Sequence, residues 1–148
     1  MFARAADGSI QSQENTTTGT FPGIWNTVAT FTAAGSPSAL LSPASGRVEL
    51  VARAGDGIIY STGESAQGSG QWRDWVRAIP ADDPTVSATD PTAFTYSNAN
   101  GPTWSYVIRT SDQLTRFYST QGIAPAAVAD SYDGPPAFTG HSLPAPPK

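Results

Sequence analysis

One short string returns along the chain and limits what that chain can fold into. Phe2-Ala-Arg-Ala-Ala-Asp-Gly-Ser-Ile10 aligns without a gap on Val51-Ala-Arg-Ala-Gly-Asp-Gly-Ile-Ile59. A weaker third copy runs Val107-Ile-Arg-Thr-Ser-Asp112. Each copy reads as a strand, a turn at Asp and a return strand. Asp-Gly is a strong hairpin signal, because Gly accepts the positive φ of the turn and Asp can hydrogen-bond its own backbone. A chain that repeats such hairpins must bury each against the next.

More of each unit is visible around the hairpins. Trp25 follows the first hairpin much as Trp75 follows the second. A lead segment, Pro37–Gly46, precedes the second copy, and another, Pro91–Gly101, precedes the third. Pro136-Ala-Phe-Thr-Gly-His-Ser142 resembles the start of that lead. The unit is therefore four strands: a lead strand, two strands joined by the Asp turn, and a Trp-bearing fourth. Four strands in about 50 residues is the size of a β-propeller blade.

The expected fold is all-β, a β-propeller with about three four-stranded blades per chain. The blades are expected near residues 2–34, 37–79 and 91–132, with a last lead strand at 136–142 and a Pro-rich tail at 143–148. The third unit has no tryptophan after its hairpin, so its fourth strand is expected to be degenerate or missing. Residues 80–90 read as a surface loop. The chain starts on the second strand of a unit and ends on a first, which is a circular permutation. Closed propellers use roughly four to eight blades. Closure is thus expected through oligomerisation, with a homodimer giving six blades, or as a section of a longer propeller.

Composition narrows the function classes. Fourteen Gly and thirteen Pro imply many turns, and no stretch holds a helical apolar period. Eight basic against twelve acidic residues give a net charge of −4, which argues against a nucleic-acid surface. The absence of Cys excludes disulfides and thiolate metal sites. His141 is the one histidine and reads as solvated. Asp82, Asp83 and Asp90 read as a solvated acidic loop rather than a Ca²⁺ site. No cofactor and no metal are expected. No apolar run is long enough to span a bilayer as a helix, and the opening Met1-Phe-Ala-Arg-Ala lacks the order of a signal peptide. The compartment stays undetermined, extracellular if the chain is a lectin.

VELVARAGDGIIYST followed by QWRDWVRAI resembles the repeats of bacterial and fungal β-propeller lectins of the fucose-binding, PLL-like or tectonin-like kind. That resemblance implies a non-enzymatic carbohydrate-binding module with pockets at blade junctions. It implies glycan partners, among them fucosylated ones. Two alternatives stay open. One is a structural or protein-interaction propeller, such as a piece of a larger surface or toxin protein. The more remote is a sialidase-like glycosidase, for which Arg4, Arg53 and Arg109 would have to converge.

Sugars present a C–H face to aromatic rings and a hydroxyl edge to planar polar groups. Gln71-Trp72-Arg73-Asp74-Trp75 holds both kinds within five residues. Odd spacing on a strand would send Trp72 and Trp75 to opposite faces. Trp75 aligns with Trp25 and is the expected core residue, leaving Trp72 as the platform with Arg73 and Asp74 beside it. Tyr60, Trp25 and Asn26 complete the expected ligand-binding set. The recurrent Asp7, Asp56 and Asp112 are expected to organise turns, and Arg4, Arg53 and Arg109 to brace neighbouring strands. Trp104 and Tyr106, two apart, are expected to pack between blades.

Overall fold

In the computed structural model, residues 1–99, 101–120 and 137–143 are described. Eleven strands form three antiparallel sheets, with no helix among the described residues. The first sheet holds β1 (Phe2–Arg4), β2 (Ile10–Ser12) and β3 (Asn26–Thr27). The second holds β4 (Ser38–Leu41), β5 (Val48–Arg53), β6 (Ile59–Gly63) and β7 (Val76–Arg77), in chain order. The third holds β8 (Thr92–Asn98), β9 (Gly101–Arg109), β10 (Thr115–Thr120) and β11 (Phe138–Ser142), also in chain order.

The three Asp turns are built alike. Asp7 Oδ1 accepts from Ser9 N at 2.9 Å, Asp56 Oδ1 from Ile58 N at 2.9 Å and Asp112 Oδ1 from Leu114 N at 3.5 Å. The residue after each Asp has positive φ: Gly8 at 89°, Gly57 at 82° and Gln113 at 71°. The Ser9 backbone and hydroxyl bonds hold the Asp7 carboxyl below its ordinary pKa, and the Thr110 hydroxyl does the same for Asp112.

The connecting segments stitch one hairpin to the next. After β3 the chain crosses the first turn, where Ala33 N donates to Gly8 O, and then reaches the second sheet, where Ala34 N donates to Arg53 O. After β7 it repeats the move: Ser87 N donates to Gly57 O and Ala88 N to Arg109 O. The recurrent arginines brace these segments. Arg4 Nε donates to Ala33 O at 2.7 Å, and Arg53 pairs with Asp90, which also accepts from Ser36 N. Arg109 lies exposed. Within the 80–90 loop, Asp83 and Asp90 are thus both engaged: Asp83 accepts from Tyr118 OH at 2.8 Å and from Thr85 N at 2.9 Å.

Strand alternation sends the two faces of the second sheet into two cores. Leu50 and Ala52 join Ile10, Val28 and Ala33, with Phe2, Phe31, Trp72 and Trp75 around them. Val51 and Ile59 join Ala78, Ile79, Trp104, Tyr106, Ile108, Tyr118 and Phe138. The second sheet is therefore packed between the other two. Trp104 and Tyr106 are buried at 4% and 0% exposure, on one face of β9.

Two expectations differ from the structure. The segment 136–142 is not a lead strand. Phe138–Ser142 closes the outer side of the third sheet, pairing with β10 from Thr120↔Phe138 to Arg116↔Ser142. Phe138 holds it there, edge-on to Trp104 at 5.1 Å and to Tyr106 at 5.3 Å. That edge of β10 is covered by β11, whatever the segment resembles in sequence. The expected third unit at 91–132 falls partly outside the described residues. Second, Trp72 and Trp75 do not diverge. Both pack against the same core, because only Val76–Arg77 is strand and Trp72 meets Glu64 in an isolated bridge. Period-two alternation does not carry across the irregular residues between them.

Candidate functional site

An open cavity of about 780 Å³ lies where the first and second sheets meet. Ser12, Asn26 and Thr27 enter it from the first sheet, with Glu14, Pro22 and Ile24 from the loop above. Ser69, Gly70, Gln71 and Trp72 enter from the loop that leads to β7. Glycines shape that loop: Gly68 and Gly70 have φ of 66° and 64°, which lets the chain double back beside Trp72.

Trp72 forms the apolar wall. Its ring is half-buried and meets Phe2 edge-on, with centroids 5.5 Å apart and planes at 86°. That contact fixes one edge and leaves the ring at the cavity. The facing side chains are small and polar. Gln11 donates to Thr27 Oγ1 at 3.1 Å, and Ser12 Oγ donates to Asn26 O, which holds the first-sheet wall in place. Gln13 anchors the overhanging loop. In the amide orientation that satisfies both ends, its side-chain oxygen accepts from Gly23 N at 2.7 Å and Ile24 N at 2.9 Å.

Glu49 and Glu64 brace the loop from below. Arg73 donates to both Glu49 oxygens at 2.9 and 2.8 Å, with the glutamate side chain 4% exposed. Burial pushes the Glu49 carboxyl up to about 7, against the lowering pull of Arg73 and Arg47. Glu64 accepts from Val48 N at 2.9 Å and from Gly68 N at 3.3 Å.

The six residues singled out in the sequence separate here. Trp72 and Asn26 come together at the cavity. Arg73 turns away from it to Glu49, and Asp74 lies exposed outside its lining. Tyr60 packs beside Phe31 at 5.4 Å. Trp25 is 42% exposed and does not line the cavity, although it aligns with Trp75. Ser12 and Thr27 were not singled out, and nothing in their local sequence marks them, whereas Gln71 directly precedes Trp72 in the string that was. Only the approach of two sheets brings Ser12 and Thr27 to the same cavity as Trp72.

The fold is similar to that of a fucose lectin. A solved fucose lectin from Kordia zhangzhouensis, in complex with methyl-fucoside, aligns over 95% of this chain and 87% of its own, with a TM-score of 0.55. Sequence identity is 14%, so the likeness is one of fold. No protein-family model matches the sequence. No curated protein matches it either.

Proposed function

We propose that the chain is a carbohydrate-binding, non-enzymatic module whose three sheets are blades of a β-propeller. The observation that carries this reading is the cavity at the first junction. It joins one half-buried tryptophan face to the hydroxyls and amides of Ser12, Asn26, Thr27 and Gln71. Such a wall takes the C–H face of a pyranose on the ring and its hydroxyls on the polar side. The shared fold with a fucose lectin supports the same class of ligand. Arg4 and Arg53 are committed to connecting segments, which removes them from a cluster that would grip a substrate carboxylate.

Binding on a glycan array, followed by titration calorimetry with the free sugar, tests the reading. Trp72→Ala is expected to weaken binding more than tenfold with an unchanged far-UV spectrum. Asn26→Ala should weaken it less. Absence of any glycan signal at high protein density would assign the module to protein interaction instead.

A further inference from the structure

The cavity between the first and second sheets carries a charge that hydroxyl recognition leaves unused. Among the described residues that line it, Glu14 alone is charged. Glu14 is exposed and follows β2 directly. The chain beside it is fixed: Gln13 is buried, its N donates to Met1 O at 3.0 Å, and its O accepts from Met1 N at 2.9 Å. The Glu14 carboxylate reaches toward the second sheet, where a Cβ added to Gly70 would meet its Oε1 at 3.3 Å. Gly70 is held in turn by Glu64, 5% exposed, whose Oε1 accepts from Gly70 N at 3.4 Å. Gly70 stands two positions before Trp72, and two residues of chain span at most about 7 Å. The Glu14 carboxylate and the tryptophan therefore border the same part of the cavity, although they come from different sheets.

No arginine or lysine lines this cavity. Arg73 donates to Glu49 beneath the loop, and Arg47 acts on that same carboxylate. What the cavity offers an incoming charged group is an acid and an aromatic ring. Those are the two elements that hold an ammonium: the ring attracts the cation electrostatically, tryptophan most strongly, and the carboxylate accepts its N–H donors. A sulfate or a sugar carboxylate would meet like charge there and find no guanidinium fork to bind it.

We infer that the cavity takes a glycan bearing a free amino group, a de-N-acetylated hexosamine residue whose ammonium lies between Trp72 and Glu14. Glu14 then sets the preference for this residue over N-acetylated and acidic sugars. The hydroxyls of the same residue are left to Ser12, Asn26, Thr27 and Gln71. The inference rests on the sugar reading of the cavity and narrows it to one chemical class.

Chito-oligosaccharides of one length, fully N-acetylated or fully de-N-acetylated, are matched probes, and a sulfated oligosaccharide is the acidic one. In titration calorimetry at mildly acidic pH, the wild type is expected to bind the free amine about tenfold tighter than its N-acetylated twin. The sulfated probe should not bind, and added salt should shrink the preference for the amine. Glu14→Gln should remove most of that preference while the N-acetylated probe binds as before, with an unchanged far-UV spectrum. If Glu14→Gln does not fold, Glu14→Ala supplies the same reading. Trp72→Ala should abolish binding of both, and amine binding that survives it is adhesion to an acidic surface and overturns the inference. Equal binding of the two twins, a preference that Glu14→Gln leaves intact, or tight binding of the sulfated probe would overturn the inference and leave the sugar reading standing. So would binding of other neutral sugars on the array with none to either twin. Binding of no glycan at all would sink both.

Discussion

Glu49 and Arg73 lie 24 positions apart and meet below the cavity as a bidentate pair. Removing one member of a buried pair leaves the other charge without its counter-ion, at about 3 kcal/mol or more. Glu49→Ala is therefore expected to lower unfolding stability by about 3 kcal/mol in urea titrations at pH 7.5. The pair also sets a pH dependence. The Glu49 carboxyl is raised to about 7 from 4.5. A group whose folded pKa is raised adds stability below its unfolded value and loses it as pH rises through the folded one. Stability should fall between about pH 4.5 and 7, and Glu49→Gln should remove that slope. Gln113 offers a gain instead. It sits at φ 71°, where the two matching turns carry glycine. Left-handed backbone costs a side-chain-bearing residue roughly 1–2 kcal/mol. Gln113→Gly should raise the melting temperature by a few degrees, its gain trimmed by the greater freedom of glycine in the unfolded chain.

At the scale of the hairpin and its connecting segment, glycine is required twice over. A Cβ on Gly57 would meet Val86 Cγ1 at 2.4 Å and Ser87 O at 3.1 Å, and Gly8 is crossed at similar range by Thr32 and Ala33. Gly57→Ala is expected to cost about 2 kcal/mol, through strained φ and a displaced stitch. Loss of amide protection at Ser87 and Ala88 would locate the damage. These hairpins were legible in the sequence because Asp, Gly and the flanking apolar residues act locally. The lead strand β4 and the Trp75 position were legible for the same reason. The place of β11 was not. Four residues of similarity favoured a lead strand, but pairing was decided by the open edge of β10 and by aromatic contacts with Trp104 and Tyr106. The site was half legible. Trp72 stood out by its residue type, but Ser12 and Thr27 became neighbours of Trp72 only through the packing of sheets, and Arg73 was drawn inward by a distant glutamate.

At the scale of the whole molecule, two cores share one middle sheet, since β5 sends Val51 one way and Leu50 and Ala52 the other. Unfolding of the second sheet should therefore release both neighbours together. Leu50→Ala is expected to lower stability by about 3 kcal/mol while fluorescence and circular dichroism continue to report one transition. If copies associate to close a ring, the melting temperature should also rise with protein concentration, which calorimetry over a hundredfold dilution reads directly. A fixed melting temperature would agree with a monomer.

Two sheet junctions are fastened alike, Val28 O accepting from Trp75 Nε1 and Ala78 O from Tyr106 OH, and that fastening has an evolutionary side. Its acceptor is a main-chain oxygen, which no substitution can delete. Valine and alanine occupy the two corresponding positions, and a tryptophan and a tyrosine serve as donors. Selection needs to keep only an aromatic donor on the incoming sheet. Repeats joined this way can lose almost all resemblance to each other and still interlock.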